Sequence, residues 1–244
     1  MKTLLFFIAF ISIISCNKPK KIQDEVGVKK YKQIIDSADN YIVTAKYPIS
    51  VQDTANEVKK LIDIIISQEK EMWQEKNANK NEKLQTRIDY EEFTSQKYGT
   101  TSYLLKVSSK TGNEKEKNKV WTIVFRNRKT VDIENFLVFN NDDYDNDIKL
   151  TKLLAQEAIN KNEKIDKEML YSGLGMVFLG ADGKTPDMEK LDGDGIFFGA
   201  NLQNFIVENS GISFYFDSGE IAPESEGIQK ISLTWEQLSP YLRK

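Results

Sequence analysis

Three groups of side chains in this sequence have types and spacings from which chemistry can be built. They are a lone thiol at Cys16, an acidic cluster at Asp182, Asp187, Glu189, Asp192 and Asp194, and the carboxylates Glu220, Glu224 and Glu226, which fall within seven residues. What is missing narrows the chemistry further. The 244 residues contain no histidine, which removes Ser-His-Asp and Cys-His catalysis, His-ligated zinc and haem, and imidazole pH sensing together. A carboxylate-pair glycosidase or a Ser-Lys hydrolase needs no imidazole. No GxSxG, GxGxxG or P-loop motif accompanies the acidic residues, so an enzymatic reading rests on generic Asp and Glu alone.

The acidic cluster has the composition of a calcium loop without its spacing. An EF-hand starting at Asp192 needs an oxygen ligand at its fifth position and Gly at its sixth, where Ile196 and Phe197 stand. Asp-Gly pairs form turns, so Asp182-Gly183 and Asp192-Gly193-Asp194-Gly195 read as a solvated loop with no metal and no cofactor. Glu220, Glu224 and Glu226 lie between two expected strands and read as a partner-binding loop, a rim whose negative potential steers a cationic or sugar-bearing partner.

Cys16 is the only cysteine, so it has no intramolecular disulfide partner. Its surroundings assign it another use. Met1-Lys2-Thr3 is followed by an apolar run over residues 4–14, broken only by Ser12, and then by the polar Asn17-Lys18-Pro19-Lys20-Lys21. That is the layout of a secretory signal, and it is too short for a transmembrane helix, which needs about 20 apolar residues. Ile13-Ile14-Ser15-Cys16 resembles the lipobox of bacterial lipoproteins, which implies diacylglycerol transfer to the thiol and cleavage before it. Residues 1–15 are then a signal peptide and residues 16–30, Lys-rich with Pro19 and Gly27, a flexible tether. Lys18, Lys20 and Lys21 do not resemble an acidic surface-export tract, so the expected place is the outer membrane, facing the periplasm.

The rest has the composition of a folded protein, with 40% hydrophobic and 29% charged residues. Its 34 basic and 37 acidic residues nearly cancel, and no basic stripe argues for nucleic acid. Residues 31–35 and 41–45 form an expected hairpin that Tyr47-Pro48 ends. A helix follows, with a cap signal at Ser50 and an apolar face of Ala55, Val58, Ile62, Ile65 and Met72, widened by Ile64 and Ile66. From Leu84 the period becomes two, giving strands around residues 84–90, 103–107 and 120–125 as an antiparallel meander, with residues 110–119 as a charged loop. A second helix spans Ile148 to Ile159 and a short one lies near residues 166–170. Strands at 204–207, 212–216 and 228–235 precede a terminal helix or turn. The fold class is therefore α+β, mainly antiparallel sheets packed by two principal helices, in an N-terminal half over 31–145 and a C-terminal half over 146–244.

The last third carries a family resemblance. The segment 205–216 (FIVENSGISFYF), then Glu220-Ile221-Ala222-Pro223, then 231–238 (ISLTWEQL), resembles a domain family of unknown function that forms the extracytoplasmic region of the lysozyme-sensing anti-sigma factor and accompanies some peptidoglycan deacetylases. The strands, Tyr-Pro step and helix of residues 31–73 are similar in order to the family's first half. The resemblance implies an α+β unit. This chain departs from the family pattern at Ser109-Lys110-Thr111-Gly112-Asn113, where a glycine-rich, histidine-containing segment usually stands, and at Gly219 and Glu224, where aromatics usually flank Glu-Ile-Ala-Pro. Anti-sigma activity is not carried over.

The function these readings imply is that of a non-catalytic lipoprotein, anchored to the membrane through Cys16, that binds peptidoglycan or a lysozyme-like protein. A structural envelope protein and a carboxylate-dependent enzyme on cell-wall sugars are the alternatives, separated respectively by an exposed assembly interface and by a carboxylate pair in a cleft. Changing Cys16 to Ser is expected to abolish incorporation of a fatty-acid probe. Labelling that persists in the variant would remove the lipid anchor.

Overall fold

The computed structural model describes residues 31–49, 53–77, 82–139, 145–176 and 202–243. Cys16, the tether and the acidic cluster of residues 182–194 lie outside them. Alternating β-formers give β1 (Tyr31–Ala38) and β2 (Tyr41–Pro48), an antiparallel hairpin turning at Asp39-Asn40. Pro48 has no N–H to give to a ladder and ends β2.

Helix α1 (Asp53–Asn77) buries Ala55, Val58, Ile62, Ile65, Ile66 and Trp73, each contributing about 1.5–3 kcal/mol if a large apolar side chain. Two expected members of this face differ. Ile64 stands two residues from both Ile62 and Ile66, about 200° around the helix, and is 52% exposed. Trp73, one residue on, takes the buried place expected for Met72, which is only half-buried.

The 25 residues of α1 return the chain to the end where β2 began, so β3 (Leu84–Ser95) joins β2 in parallel, from Tyr41 opposite Leu84 to Ala45 opposite Ile88. This β-α-β crossover is the one parallel join among the described strands. β3, β4 (Thr100–Thr111) and β5 (Lys117–Arg126) form the expected meander, and β6 (Lys129–Thr130) adds a short edge to the order β1-β2-β3-β4-β5-β6. The charged loop is shorter than its composition implied: Ser108 pairs with Asn118 and Ser109 with Lys117. Polar residues extend these strands because one face of the sheet is open to water there.

The C-terminal strands β7 (Phe205–Val207), β8 (Gly211–Phe216) and β9 (Gln229–Thr234) form a separate antiparallel sheet. Helices α2 (Asp145–Lys161) and α3 (Lys167–Gly173) cover it, and α4 (Trp235–Leu238) follows β9. Local capping fixes the short helices. Asp166 accepts from the Glu168 and Met169 N–H groups, and Thr234 and Gln237 form a reciprocal capping box.

Side-chain alternation stacks these elements in layers. Tyr103, Leu105, Val107 and Phe125 pack with α1. Leu104 and Val120, on the opposite face, meet Ile206 and Tyr215 of the smaller sheet. Phe205, Val207, Ile212, Phe214 and Phe216 point the other way, into a core with Leu150, Leu154 and Leu170 that also takes Val124, Ile133, Phe136 and Leu137. The sequence from one side to the other is α1, six-stranded sheet, three-stranded sheet, α2 and α3, an α+β arrangement with two mainly antiparallel sheets.

Candidate functional site: a polar ledge between the sheets

The smaller sheet rests on β3, β4 and β5 and leaves the outer faces of β1 and β2, with the adjoining ends of β3 and β4, open. Strand register arranges the open face in rows. One runs Ile35, Thr44, Arg87, Ser108, Asn118, and the next Gln33, Lys46, Asp89, Lys106. Charges of both signs alternate along it, with Lys46 2.8 Å from Asp89, Arg87 3.0 Å from Asp89, and Lys106 bonded to Glu91. Two shallow hollows lie on this face. One, about 440 Å³, is lined by Ile42, Thr44, Gln85, Arg87, Ser108, Lys110 and Glu116. The other, about 460 Å³, lies beside Tyr31, Lys46, Asp89, Glu91 and Phe93.

The first row ends against the loop that follows β8. Ser108 Oγ donates to Asn118 Oδ1 at 2.6 Å, and the Asn118 N–H donates to Ser218 Oγ at 3.2 Å. Residues 217–227 thus stand as a wall beside the sheet floor. Gly219 takes the positive φ (+86°) that the turn from Asp217 to Glu220 requires. A Cβ there would come within 2.9 Å of Glu224 Cγ, so the two positions that depart from the resembled pattern are neighbours. Gly173 of α3 packs beneath; a Cβ on it would meet the Glu220 carbonyl oxygen at 2.2 Å.

The three sequence-predicted carboxylates occupy different environments. Glu220 is half-buried, and its Oε2 accepts from the Asp217 N–H at 2.9 Å. Burial pushes its carboxyl up to about 7; the bond from Asp217 N–H opposes that shift and the Asp217 charge adds to it. Glu224 and Glu226 lie on an exposed 3-10 turn after the buried pair Ile221-Ala222. The loop therefore presents two carboxylates to solvent and spends the third on its own backbone.

Sequence reasoning missed three further groups, one in the wall and two on α1, across the six-stranded sheet from the ledge. Asp217 is raised by burial and accepts from the Val120 N–H at 2.7 Å. Glu69 is 7% exposed, paired to Lys119 at 2.8 Å, and receives the Ser109 hydroxyl at 2.7 Å. Its place was legible, since it stands four residues from both Ile65 and Trp73 on the buried stripe of α1. Ser67 and Lys70 have the S-x-x-K spacing of Ser-Lys hydrolases. Ser67 is exposed, however, while Lys70 is engaged by Asp36 and lies over the Tyr41 ring. Burial pulls the Lys70 ammonium down, but bonds to Asp36 and Tyr41 outweigh this and hold it above its ordinary value. A general base needs the opposite shift. Among the described residues no three His, Cys, Asp or Glu side chains gather to hold a metal, and no helix is long and apolar enough to cross a membrane.

The family model described as "Protein of unknown function (DUF3298)" matches residues 51–236. The fold is similar to two crystal structures of DUF3298 family proteins. One is from Bacteroides fragilis NCTC 9343, with TM-score 0.51, 14% identity, and coverage of 88% of this chain and 93% of that one. The other, from Pseudomonas aeruginosa PAO1, has TM-score 0.51, 11% identity and the same 88% and 93% coverage. No curated protein matches the chain.

The raised Glu220 carboxyl has a consequence for stability. Between its ordinary value of 4.5 and about 7, the folded protein keeps a proton that the unfolded chain has released, so stability falls as pH rises through that window. Glu220→Gln keeps an acceptor for the Asp217 N–H and carries no charge. Urea unfolding at pH 5 and pH 8 is expected to show the unsubstituted protein losing stability at the higher pH and the variant losing less. Equal losses would contradict this placement of Glu220.

Proposed function

The chain belongs to the DUF3298 family, and from that premise we propose that it is a non-catalytic binding protein of the cell envelope, held to a membrane through a lipid on Cys16. Its partner on this reading is a basic protein of the lysozyme-like kind. The observation that carries it is the ledge: a broad, mixed-charge sheet floor beside a loop that holds Glu224 and Glu226 in solvent. Such a surface suits a macromolecule better than a small substrate, which is normally enclosed in a cleft. Exposed carboxylates at the rim favour a cationic partner by steering its approach. The absence of histidine from the sequence, and the use of Glu220 and Asp217 on backbone N–H groups, support recognition over catalysis.

A second reading, peptidoglycan as the ligand, is favoured by the hollow beside Tyr31. There a ring 49% exposed, with Lys46 5.3 Å from its centroid, adjoins Asp89 and Glu91. An aromatic face beside hydrogen-bonding groups is an amphipathic surface suited to sugars.

The two readings separate by experiment. Surface plasmon resonance with hen lysozyme is expected to show saturable binding that weakens with salt, and Glu224→Gln with Glu226→Gln together should slow association about threefold to tenfold. Co-sedimentation with insoluble peptidoglycan that is lost in Tyr31→Ala and retained in the Glu224/Glu226 variant supports the glycan instead. Saturable binding to neither would sink both.

A further inference from the structure

Strand β1 is the outermost strand of the six-stranded sheet, paired with β2 on one side and with no described strand on the other. An open edge carries unpaired N–H and C=O groups ready to accept another strand. β1 also bears Ile35, at 68% the most exposed large hydrophobic among the described residues, and Tyr31 on the same face. Its opposite face carries Lys32 and Asp36, four residues apart and of opposite sign. The Asp36 carboxylate is held in place by the Tyr41 hydroxyl at 3.1 Å and by Lys70.

We propose that β1 pairs antiparallel with β1 of a second copy of this chain, about a two-fold axis perpendicular to the sheet, with Ile34 opposite its own counterpart. The charges select this register. Residues directly opposite in an antiparallel pair share a face, so the strands shift only in steps that keep Lys32 opposite an even-numbered residue. With Ile34 on the axis, Lys32 faces the second copy's Asp36, and symmetry makes the pair twice. A shift one way puts Lys32 opposite Ile34, and a shift the other way opposite Ala38. On the outer face Ile35 then lies opposite Gln33 and diagonal to both Ile35 and Tyr31 of the second copy, a spacing that long and aromatic side chains span. Lys and Asp, which guard an edge against indiscriminate pairing, become complementary in a single arrangement. The product joins two six-stranded sheets edge to edge with both polar floors on one side, giving a partner two copies of the same surface.

The test uses the full chain in native membranes. Opposed residues at the axis lie about 4.5–5.5 Å apart, within disulfide reach, so Ile34→Cys is expected to form a disulfide dimer on mild oxidation. Ile64→Cys, at a more exposed position on α1, and the unsubstituted chain are expected to remain monomeric on the same gel. Lys32→Asp in the Ile34→Cys background should lower the cross-linked fraction about tenfold, whereas Lys60→Asp on α1 should leave it unchanged. Sedimentation of the unsubstituted protein in mild detergent, which involves no variant, should give a dimer. A monomer there, no cross-link at Ile34, equal cross-linking at Ile64, or a dimer indifferent to Lys32→Asp would overturn the proposal.

Discussion

The outer edge of β5 is the constraint on which the rest of this structure depends. Beyond β4, only Phe125 and Arg126 of β5 find a strand partner, in β6. The N–H groups of Asn118, Val120 and Thr122 point outward beside a packed core, where an unpaired donor costs about 1–3 kcal/mol. Residues far along the chain satisfy each one. Ser218 Oγ, Asp217 Oδ1 and Asn204 Oδ1 accept at 3.2, 2.7 and 3.2 Å, and the Asn118 carbonyl receives the Ser218 N–H at 2.9 Å. Thr122 Oγ1 accepts the Phe205 N–H at 2.9 Å, and Ser102 Oγ of the neighbouring strand accepts the Val207 N–H at 3.3 Å.

These bonds set where the second sheet sits, and its position in turn creates the ledge. Packing of Leu104 and Val120 against Ile206 and Tyr215 supplies the apolar part of the contact, while the bonds along β5 fix its direction and register. Because the loop after β8 must bring Asp217 and Ser218 to that edge, Glu220 is drawn inward to the Asp217 N–H and its carboxyl rises. Glu224 and Glu226 are carried past the edge and remain outside. The same docking stops short of β1 and β2, which leaves the polar rows open.

Much of the fold is legible in the sequence because its signals are local. The alternation from Leu84 onward, the buried stripe of α1, and the runs around Phe205, Gly211 and Ile231 each reflect the face on which a residue lies. The parallel join of β2 to β3 is not local: it follows from the length of α1, which returns the chain to the starting end of β2. Ile64 misleads because an apolar type on the far side of a helix has the same composition signal as one on the near side. Asn204 reads as the start of a strand and Asp217 as a polar residue just past one, since nothing near them in sequence shows that the edge of a strand 82 to 97 residues away needs an acceptor. The carboxylates of residues 220–226 were legible as a group; their division into one inward and two outward side chains was not, because it depends on that edge.

Amide hydrogen exchange at Val120 and Thr122 tests the capped edge most directly. These amides should exchange as slowly as those in the middle of β4, and Asp217→Ala should release Val120 selectively while β4 stays protected. Exchange at Val120 and Thr122 as fast as in the exposed loop of residues 112–116 would contradict the docking of the two sheets, and with it the ledge.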